Sequence, residues 1–274
     1  MSVNGAIDNK RKLDFLLAAA ISVAMVVLIL LVQQYAASAR VVVSAPPKAD
    51  PIAVFPDFAS IPNVNVKKQQ FFDYLQDFIL AENNDLANTR RQLLNYAAIV
   101  NTGVALSARE RGWLLELVST YRVETGLNSD KEIVDELLKR VDQIPVSLVL
   151  AQAANESAWG TSRFTLEGNN VFGQWCFEEG CGIVPRQRVS GATHEVRRFT
   201  SVESAVEAYF LNINSQRAYD YFRELRAYMR EQKQELDSMV LAFGLGRYSQ
   251  RGDHYVDEVQ TLIIQNRLRS RDRG

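Results

Sequence analysis

The sequence predicts a mainly α-helical domain with a small β element, carried by an N-terminal membrane helix. Three observations support this architecture. An uncharged apolar run occupies residues 15–32, apolar residues recur at steps of three and four after residue 66, and a Gly/Asn-rich stretch within 168–199 interrupts that period. With 274 residues, 47% of them apolar, the chain is long enough to bury a sizeable core.

The charge balance bears on the class of partner. The chain has 31 Lys and Arg residues against 32 Asp and Glu residues, which gives a net charge of -1. A protein that binds a phosphate backbone usually presents a surplus of positive charge. We therefore expect no nucleic acid partner.

The apolar run FLLAAAISVAMVVLILLV at residues 15–32 is long enough to cross a bilayer, since a helix rises about 1.5 Å per residue. Three basic residues at 10–12 precede it. By the positive-inside rule, residues 1–12 stay in the cytoplasm, residues 13–35 form the anchor, and the remainder is exported. Ala37-Ser38-Ala39 also resembles a signal-peptide cleavage site, but the run exceeds the usual length of a signal core, so we prefer an uncleaved anchor.

Two segments separate the anchor from the C-terminal half. Five of the seven prolines lie in residues 36–66, a density that opposes helix and sheet and predicts a tether. Residues 67–143 show an aromatic and aliphatic helical stripe, with capping boxes at Ser107–Glu110 and Ser129–Glu132. We expect about three helices there, packed on the core and without chemistry of their own.

The next predicted helix contains an unusual glutamate. Pro145 fits the first position of this helix and Gly160 fits its end, and the segment VSLVLAQAANESAW lies between them. Glu156 falls on or beside the buried stripe and in the last turn, where the helix dipole disfavours a carboxylate. Desolvation and the dipole both raise a carboxyl pKa, as a general acid requires. A structural hydrogen bond or ion pair is the alternative.

A second candidate carboxylate is Glu195. The segment RQRVSGATHEVRRF at 186–199 predicts a β-hairpin that turns at Ser190-Gly191, with Glu195 on its second arm. Glu195 could face a cleft or pair with Arg197 or Arg198.

AQAANESAWG followed by GNNVFGQW resembles the signature of the glucosaminidase family of peptidoglycan hydrolases, glycoside hydrolase family 73. The stretch from about 144 to 268 is similar to its membrane-anchored Bax-type members. The resemblance implies a lysozyme-like helical domain over 144–274, with a small β-hairpin lobe and a substrate of N-acetylglucosamine and N-acetylmuramic acid strands. It assigns the catalytic acid to Glu156, the second catalytic carboxylate to Glu195, and a cleft tyrosine to Tyr248.

The residues expected to bind the glycan are aromatic or belong to the Asn-x-Phe-Gly motif of the resemblance: Trp159, Asn170, Phe172, Gly173, Trp175 and Tyr255. Either tryptophan could instead be packing, and so could Tyr255. The expected reaction is cleavage of the β-1,4 bond after N-acetylglucosamine, on the periplasmic side of a bacterial inner membrane. Glu195 could activate water or stabilise positive charge, or the substrate's acetamido group could supply the nucleophile.

Two other functions fit the same sequence. A lytic transglycosylase uses one helix glutamate and needs no second carboxylate, and an inactive glycan-binding module could recruit other wall enzymes. Cys176 and Cys181 could be free thiols, but in an exported domain a disulfide between them is favoured. The two histidines, His194 and His254, lie far apart in sequence, so we expect no metal and no cofactor.

Overall fold

The computed structural model describes residues 54–272 except 125, 127, 128, 187, 189 and 190. The predicted membrane helix and most of the predicted tether lie outside the described residues. Within the described ranges, no helix combines the length and apolarity needed to cross a membrane.

The described part of the chain is mainly helical, with one small antiparallel sheet. In chain order it forms α1 (Val64–Asn101), α2 (Ala108–Thr120), α3 (Asp130–Arg140), α4 (Val146–Ser157), α5 (Arg163–Gly168), β1 (Trp175–Cys176), β2 (Gly182–Ile183), β3 (Glu195–Arg197), α6 (Val202–Ser215), α7 (Asp220–Glu231), α8 (Ser238–Leu241) and α9 (Asp253–Gln265). Short 3-10 helices lie at Phe58–Ser60, Arg217–Tyr219, Ala242–Leu245 and Leu268–Asp272.

The three helices expected over 67–143 are confirmed as α1, α2 and α3, and both predicted capping boxes form. The predicted boundary of the tether at residue 66 is wrong. Asn63 caps α1, which begins at Val64, and the 3-10 helix before it is also folded. Phe55 and Phe58, in the proline-rich segment, are buried because their apolar rings pack against the core. Residues 54–66 therefore belong to the folded domain.

Helix α4 lies at the centre of the core. Every residue from Val146 to Ala154 is buried, so the helix is enclosed on all sides and not along a single stripe. It packs against α1, α9 and the last 3-10 helix. Its sequence suits this position, because small and aliphatic residues allow neighbouring helices to approach from several directions. The helix begins after Pro145 and its cap at the other end is Ala158, two residues before the expected Gly160.

Buried arginines fix the start of α4. The fully buried guanidinium of Arg226 donates to the carbonyls of Lys139, Arg140, Asp142 and Gln143, which follow or end α3. The Asp142 carboxylate pairs with Arg230 at 2.8 Å and with Arg90 at 3.4 Å. Burial raises the pKa of Asp142, but the surrounding guanidinium groups outweigh it, and the pKa lies below its ordinary value. The connection from α3 to α4 is thereby held in one conformation.

The β element is a three-stranded sheet in the order β1-β3-β2, with both pairs antiparallel. The hairpin predicted to turn at Ser190-Gly191 is wrong, because β3 pairs Glu195 with Cys176 and Arg197 with Gly182. The predicted disulfide between Cys176 and Cys181 is confirmed. It closes the short loop that places β1 and β2 on the two edges of β3. Both edges of β3 are therefore paired, and no other strand can pair with it.

Candidate active site

Glu156 lies in the last turn of α4 and is partly buried. Its Oε1 is enclosed by protein and has no hydrogen-bond partner among the described residues. Burial raises the pKa of this carboxyl, and the carboxylate of Glu258 raises it further, whereas a hydrogen bond from Tyr255 and the charge of Arg251 lower it. The net shift is upward, which confirms the shift expected from burial. The group is thus poised to hold a proton above the ordinary carboxyl range.

The backbone approaches Glu156 closely at Gly173. A Cβ at this position would lie 3.3 Å from Oε2 of Glu156, and Gly173 has a φ of +65°. A side chain here would be strained and would crowd the carboxyl group. Gly173 therefore shapes the site by allowing the backbone close to the acid.

The chain turns sharply after Glu156. Ala158, Trp159 and Gly160 have successive φ values of +50°, +61° and +75°, all in the left-handed region. The Ser157 hydroxyl accepts a hydrogen bond of 2.8 Å from the Gly160 amide. Left-handed conformations are unfavourable for residues with a side chain, so surrounding contacts must hold this turn.

Those contacts come from the N-terminal part of the chain. A Cβ on Gly160 would lie 2.8 Å from Phe55, 2.9 Å from Phe58 and 3.2 Å from Phe71. We call Phe55, Phe58 and Phe71 the phenylalanine clamp. Burying a phenylalanine ring stabilises a protein by about 1.5–3 kcal/mol, which is comparable to the roughly 1–3 kcal/mol strain of one left-handed residue with a side chain.

Trp159 is held by the same region. Its ring lies edge-on against Phe71 at 6.0 Å and Phe72 at 5.4 Å, and the ammonium of Lys68 lies 4.5 Å from the ring centre. These are the contacts of a packing side chain. The binding of substrate by Trp159 stays a prediction, and its position shows that it also secures the turn after Glu156.

An aromatic cluster lies behind Glu156. The rings of Tyr248 and Tyr255 stack with their centroids 5.4 Å apart and an interplanar angle of 6°. The Tyr248 hydroxyl donates a hydrogen bond of 2.8 Å to the carbonyl of Phe172. Phe172 in turn stacks on Tyr209 at 4.1 Å. Phe172 and Tyr255 are buried, so their rings pack within the protein core next to the site. The structure brings both predicted tyrosines together with Glu156, since each has a pKa raised by burial and by the charge of that carboxylate.

Two residues beside Glu156, Gln152 and Tyr209, were not predicted as site residues from the sequence. Gln152 is fully buried on α4, four residues before Glu156 and hence on the same face of the helix. Its Nε2 donates to the Tyr255 hydroxyl at 2.8 Å, and its Oε1 accepts from the Tyr209 hydroxyl. A buried amide at this spacing was a signal that the sequence contained.

Asn170 organises the loop that leads to Gly173. It is buried, and its amide group donates to the carbonyls of Gln174 and Arg197 at 2.9 Å and 2.8 Å. Its Oδ1 accepts from the Gln174 amide at 3.0 Å. Asn170 therefore joins the Gly173 loop to β3, and these bonds leave its side chain engaged within the protein.

Trp175 is the most accessible of the predicted substrate-binding residues. Its side chain is 54% exposed, and its ring stacks on His194 at 4.3 Å with an interplanar angle of 16°. One face of the indole is covered by the imidazole. An exposed aromatic ring held in a fixed orientation suits stacking on a sugar.

Glu195 has different surroundings from Glu156. Its Oε1 accepts from the Gly180 amide at 3.1 Å and its Oε2 from the Gly182 amide at 2.8 Å. These two backbone hydrogen bonds lower the pKa of Glu195. Its carboxylate also lies within 4.8 Å of the sulfurs of Cys176 and Cys181, which the disulfide prevents from acting as thiolate ligands. Glu195 braces the disulfide loop, and its catalytic role stays a prediction.

An open groove of about 680 Å³ is lined by Asn155, the residue before Glu156, and by Arg251 and Glu258, whose charges act on the Glu156 carboxyl; the Glu156 side chain is not part of its lining. Arg251 forms an ion pair with Glu258, and the Asn155 amide lies 3.5 Å from the same carboxylate. The groove thus carries both signs of charge next to Glu156. Its lining side chains are Asn155, Arg251, His254, Asp257, Glu258, Thr261 and Leu262.

Comparison with known proteins places this arrangement in a family. The model of the Glucosaminidase family, described as mannosyl-glycoprotein endo-beta-N-acetylglucosaminidase, matches residues 131–268. Protein bax of Escherichia coli (strain K12) is 32% identical over 202 residues, which cover 73% of this chain and 70% of that protein. The chain belongs to the glucosaminidase family.

Among solved structures, the catalytic domain of the autolysin Auto from Listeria monocytogenes aligns with this chain at 16% identity and a TM-score of 0.41. The alignment covers 78% of this chain and 92% of that one. Membership in the glucosaminidase family indicates a glycoside hydrolase that acts on peptidoglycan.

The family match begins within α3, so the residues around the site that precede α3 lie outside the matched region. Glu156, Gly173, Tyr248 and Tyr255 fall inside the matched residues. The phenylalanine clamp and Lys68 fall before them. The turn that ends α4 is therefore held by residues that the family match does not contain.

Gly160→Ala should destabilise the protein by about 2–4 kcal/mol, because the added methyl group meets the phenylalanine clamp and the residue must keep a left-handed conformation. Gly112→Ala is the matched control. Gly112 lies in α2 with no atom within 4 Å of an added Cβ, so alanine there should be neutral or stabilise by up to about 1 kcal/mol. Urea denaturation of both variants measures the difference, and equal stabilities contradict the clamp.

Glu195→Gln should loosen the disulfide loop, because the Gln amide nitrogen cannot accept from a backbone amide as the second carboxylate oxygen does. We expect faster proteolysis between Cys176 and Gly182, a kcat lowered less than about tenfold, and no rescue by azide. Glu179→Gln, at an exposed position of the same loop, is the control. A kcat reduced by about 10² to 10⁴ with the loop intact and azide rescue supports a catalytic Glu195 instead.

Proposed function

We propose that this protein cleaves the β-1,4 bond after N-acetylglucosamine in peptidoglycan strands, with Glu156 as the general acid. The observation that carries the proposal is the state of the Glu156 carboxyl. It is desolvated, has an enclosed oxygen without a hydrogen-bond partner among the described residues, and has a raised pKa. A carboxyl group that retains its proton near neutral pH can protonate the leaving glycosidic oxygen.

The surroundings of Glu195 support a substrate-assisted mechanism. Both Glu195 oxygens are engaged by backbone amides, so the group is poorly disposed to activate a water molecule or attack a sugar. In the proposed reaction, Glu156 gives its proton to the leaving oxygen as the C1–O bond breaks. The carbonyl oxygen of the substrate's own acetamido group attacks C1 and forms a cyclic oxazolinium. Glu156, now ionised, takes a proton from the water that opens this ring.

A lytic transglycosylase is the second candidate, and the same observation favours it. With one available carboxylate, such an enzyme cleaves the other β-1,4 linkage of the strand, after N-acetylmuramic acid. The 6-hydroxyl of that sugar attacks its own C1, which gives an anhydro end without consuming water. The two reactions therefore leave different sugars and different masses at the new ends of the glycan.

Glu156→Gln should abolish glycan cleavage and leave the fold intact, because the amide has nearly the same volume but cannot release a proton. Mass spectrometry of purified strands digested by the wild type should show reducing N-acetylglucosamine ends. Glu116→Gln, on the exposed face of α2, is the control and should keep full activity. Anhydro ends support the transglycosylase, and strands bound but uncut by the wild type identify a glycan-binding module.

The pH dependence has a defined sign. Since the folded pKa of Glu156 is raised, activity should fall on the alkaline side as this carboxyl ionises. Its ionisation should also reduce the free energy of unfolding as pH rises through the folded pKa. Glu156→Gln should therefore become more stable than the wild type at alkaline pH, as thermal denaturation between pH 5 and pH 9 can measure.

We also propose that the catalytic domain lies in the periplasm, anchored by residues 13–35 in the inner membrane. The disulfide between Cys176 and Cys181 supports an oxidising compartment. The full-length chain should remain in the membrane fraction, and protease should reach the domain only after the outer membrane is opened. A mature N-terminus at Arg40 contradicts the anchor and indicates a cleaved signal peptide.

A further inference from the structure

Three helices are joined beside Glu156 by a chain of hydrogen bonds that ends at Tyr255, a group that acts on the Glu156 carboxyl. The Tyr209 hydroxyl on α6 donates to Oε1 of Gln152 on α4, and Nε2 of Gln152 donates to the Tyr255 hydroxyl on α9. Gln152 and Tyr209 are fully buried, as is Tyr255. Buried hydrogen-bonding groups of this kind have few other partners, so the direction of each bond constrains the next.

The direction of the chain determines where the Tyr255 proton points. A carboxamide has one accepting oxygen and one donating nitrogen, so Gln152 can accept from one tyrosine and donate to the other. Since Tyr255 accepts from Gln152, its own proton is free to point towards the Glu156 carboxyl. With the amide reversed, Tyr255 would donate to Gln152 and leave Glu156 without that donor.

We propose that Gln152 and Tyr209 are positioning residues, which act through Tyr255 to aim a hydroxyl proton at the Glu156 carboxylate as it forms. The inference rests on the proposed role of Glu156 as the general acid. The bond to Tyr255 strengthens when Glu156 becomes charged, so it favours the transition state over the ground state. Tyr209 holds the amide in the required orientation, and neither Gln152 nor Tyr209 touches the reacting atoms.

The fold places these groups where they can act. Tyr209 is fixed by its stack on Phe172, which directly precedes Gly173, the residue whose backbone lies close to the Glu156 carboxyl. Tyr255 is fixed by its stack on Tyr248. Besides burial, the groups that shift the pKa of Glu156 are Tyr255, Arg251 and Glu258. The pKa values of Tyr209, Tyr219 and Tyr248 are raised mainly by burial, and the Glu156 charge in turn contributes to raising them. Of these groups, Tyr209 and Tyr255 are joined to the Gln152 amide, and of the two Tyr255 is the one that lowers the pKa of Glu156.

Tyr209→Phe tests the proposal, because it removes one hydroxyl and keeps the stacked ring. The Gln152 oxygen loses its donor and can turn to accept the Tyr255 proton. We expect kcat to fall about 10- to 100-fold with KM little changed, since a hydrogen bond to a charged group is lost in the transition state. The alkaline limb of the pH profile should move to higher pH, because the ionised form of Glu156 is then less stabilised.

Gln152→Glu gives the same test without touching a tyrosine. A carboxylate at position 152 accepts from both hydroxyls, so it draws the Tyr255 proton away from Glu156 and adds a negative charge. The alkaline limb should move further than in Tyr209→Phe. Gln152→Met removes both bonds but leaves the Tyr255 proton free to reach Glu156, so it should shift the limb least of the three variants.

Tyr219→Phe is the matched control, since Tyr219 is a buried tyrosine of the same cluster whose ring lies 6.1 Å from Tyr248. It should leave the pH profile unchanged. A wild-type kcat and profile in Tyr209→Phe overturns the proposal. A lower kcat with an unmoved alkaline limb, matched by Tyr219→Phe, also overturns it, because it shows a loss of packing alone.

A readout without glycan separates this proposal from the proposed function. NMR titration of 13C-labelled glutamate side chains in the full chain follows the ionisation of Glu156, with the Glu156→Gln spectrum used to assign it. Tyr209→Phe and Gln152→Glu should each raise its midpoint, whether or not the wild type cleaves peptidoglycan. An unchanged midpoint of the Glu156 titration in both folded variants overturns the positioning role of Gln152 and Tyr209. It leaves the proposed role of Glu156 intact.

Discussion

The left-handed turn at residues 158–160 is the constraint on which the site depends. It ends α4 directly after Glu156 and sends the chain towards the loop that carries Gly173. The left-handed conformations of Ala158 and Trp159 are unfavourable in isolation, and the buried rings of the phenylalanine clamp, packed against Gly160, supply compensating contacts. If the turn relaxed and α4 continued, the Glu156 carboxyl would no longer lie at the helix end beside the Gly173 backbone.

The same position sets the electrostatics of the acid. At the C-terminal end of α4 the helix dipole disfavours negative charge, and burial disfavours it further. Both effects hold the proton on Glu156 before reaction. Tyr255 and Arg251 act in the opposite direction, since they stabilise the carboxylate. A general acid needs both influences, because it must retain its proton in the resting enzyme and release it in the transition state.

Local signals in the sequence predicted the helices and the partly buried position of Glu156. The capping boxes of α2 and α3, the Pro145 start of α4 and the burial of Glu156 all follow from spacing within one segment. The sheet did not follow, because β3 takes its partners from a disulfide loop and alternation along one strand cannot identify them. The braced state of Glu195 was hidden for the same reason, since its two donors are backbone amides that any residue carries.

The contacts between the phenylalanine clamp and Gly160 could not be predicted from the motif around Glu156. Phe55 and Phe58 lie in a segment whose prolines predicted a tether, and Phe71 lies in a stripe that predicted core, so neither pattern indicated a contact with Gly160. The contact links the segment before α1 to the last residue of the turn that follows Glu156. Because the clamp precedes the family match at residue 131, the folded region that positions Glu156 extends further towards the N-terminus than the region that the family signature matches. The packing of Phe55 and Phe58 against Gly160 is therefore part of what shapes the site.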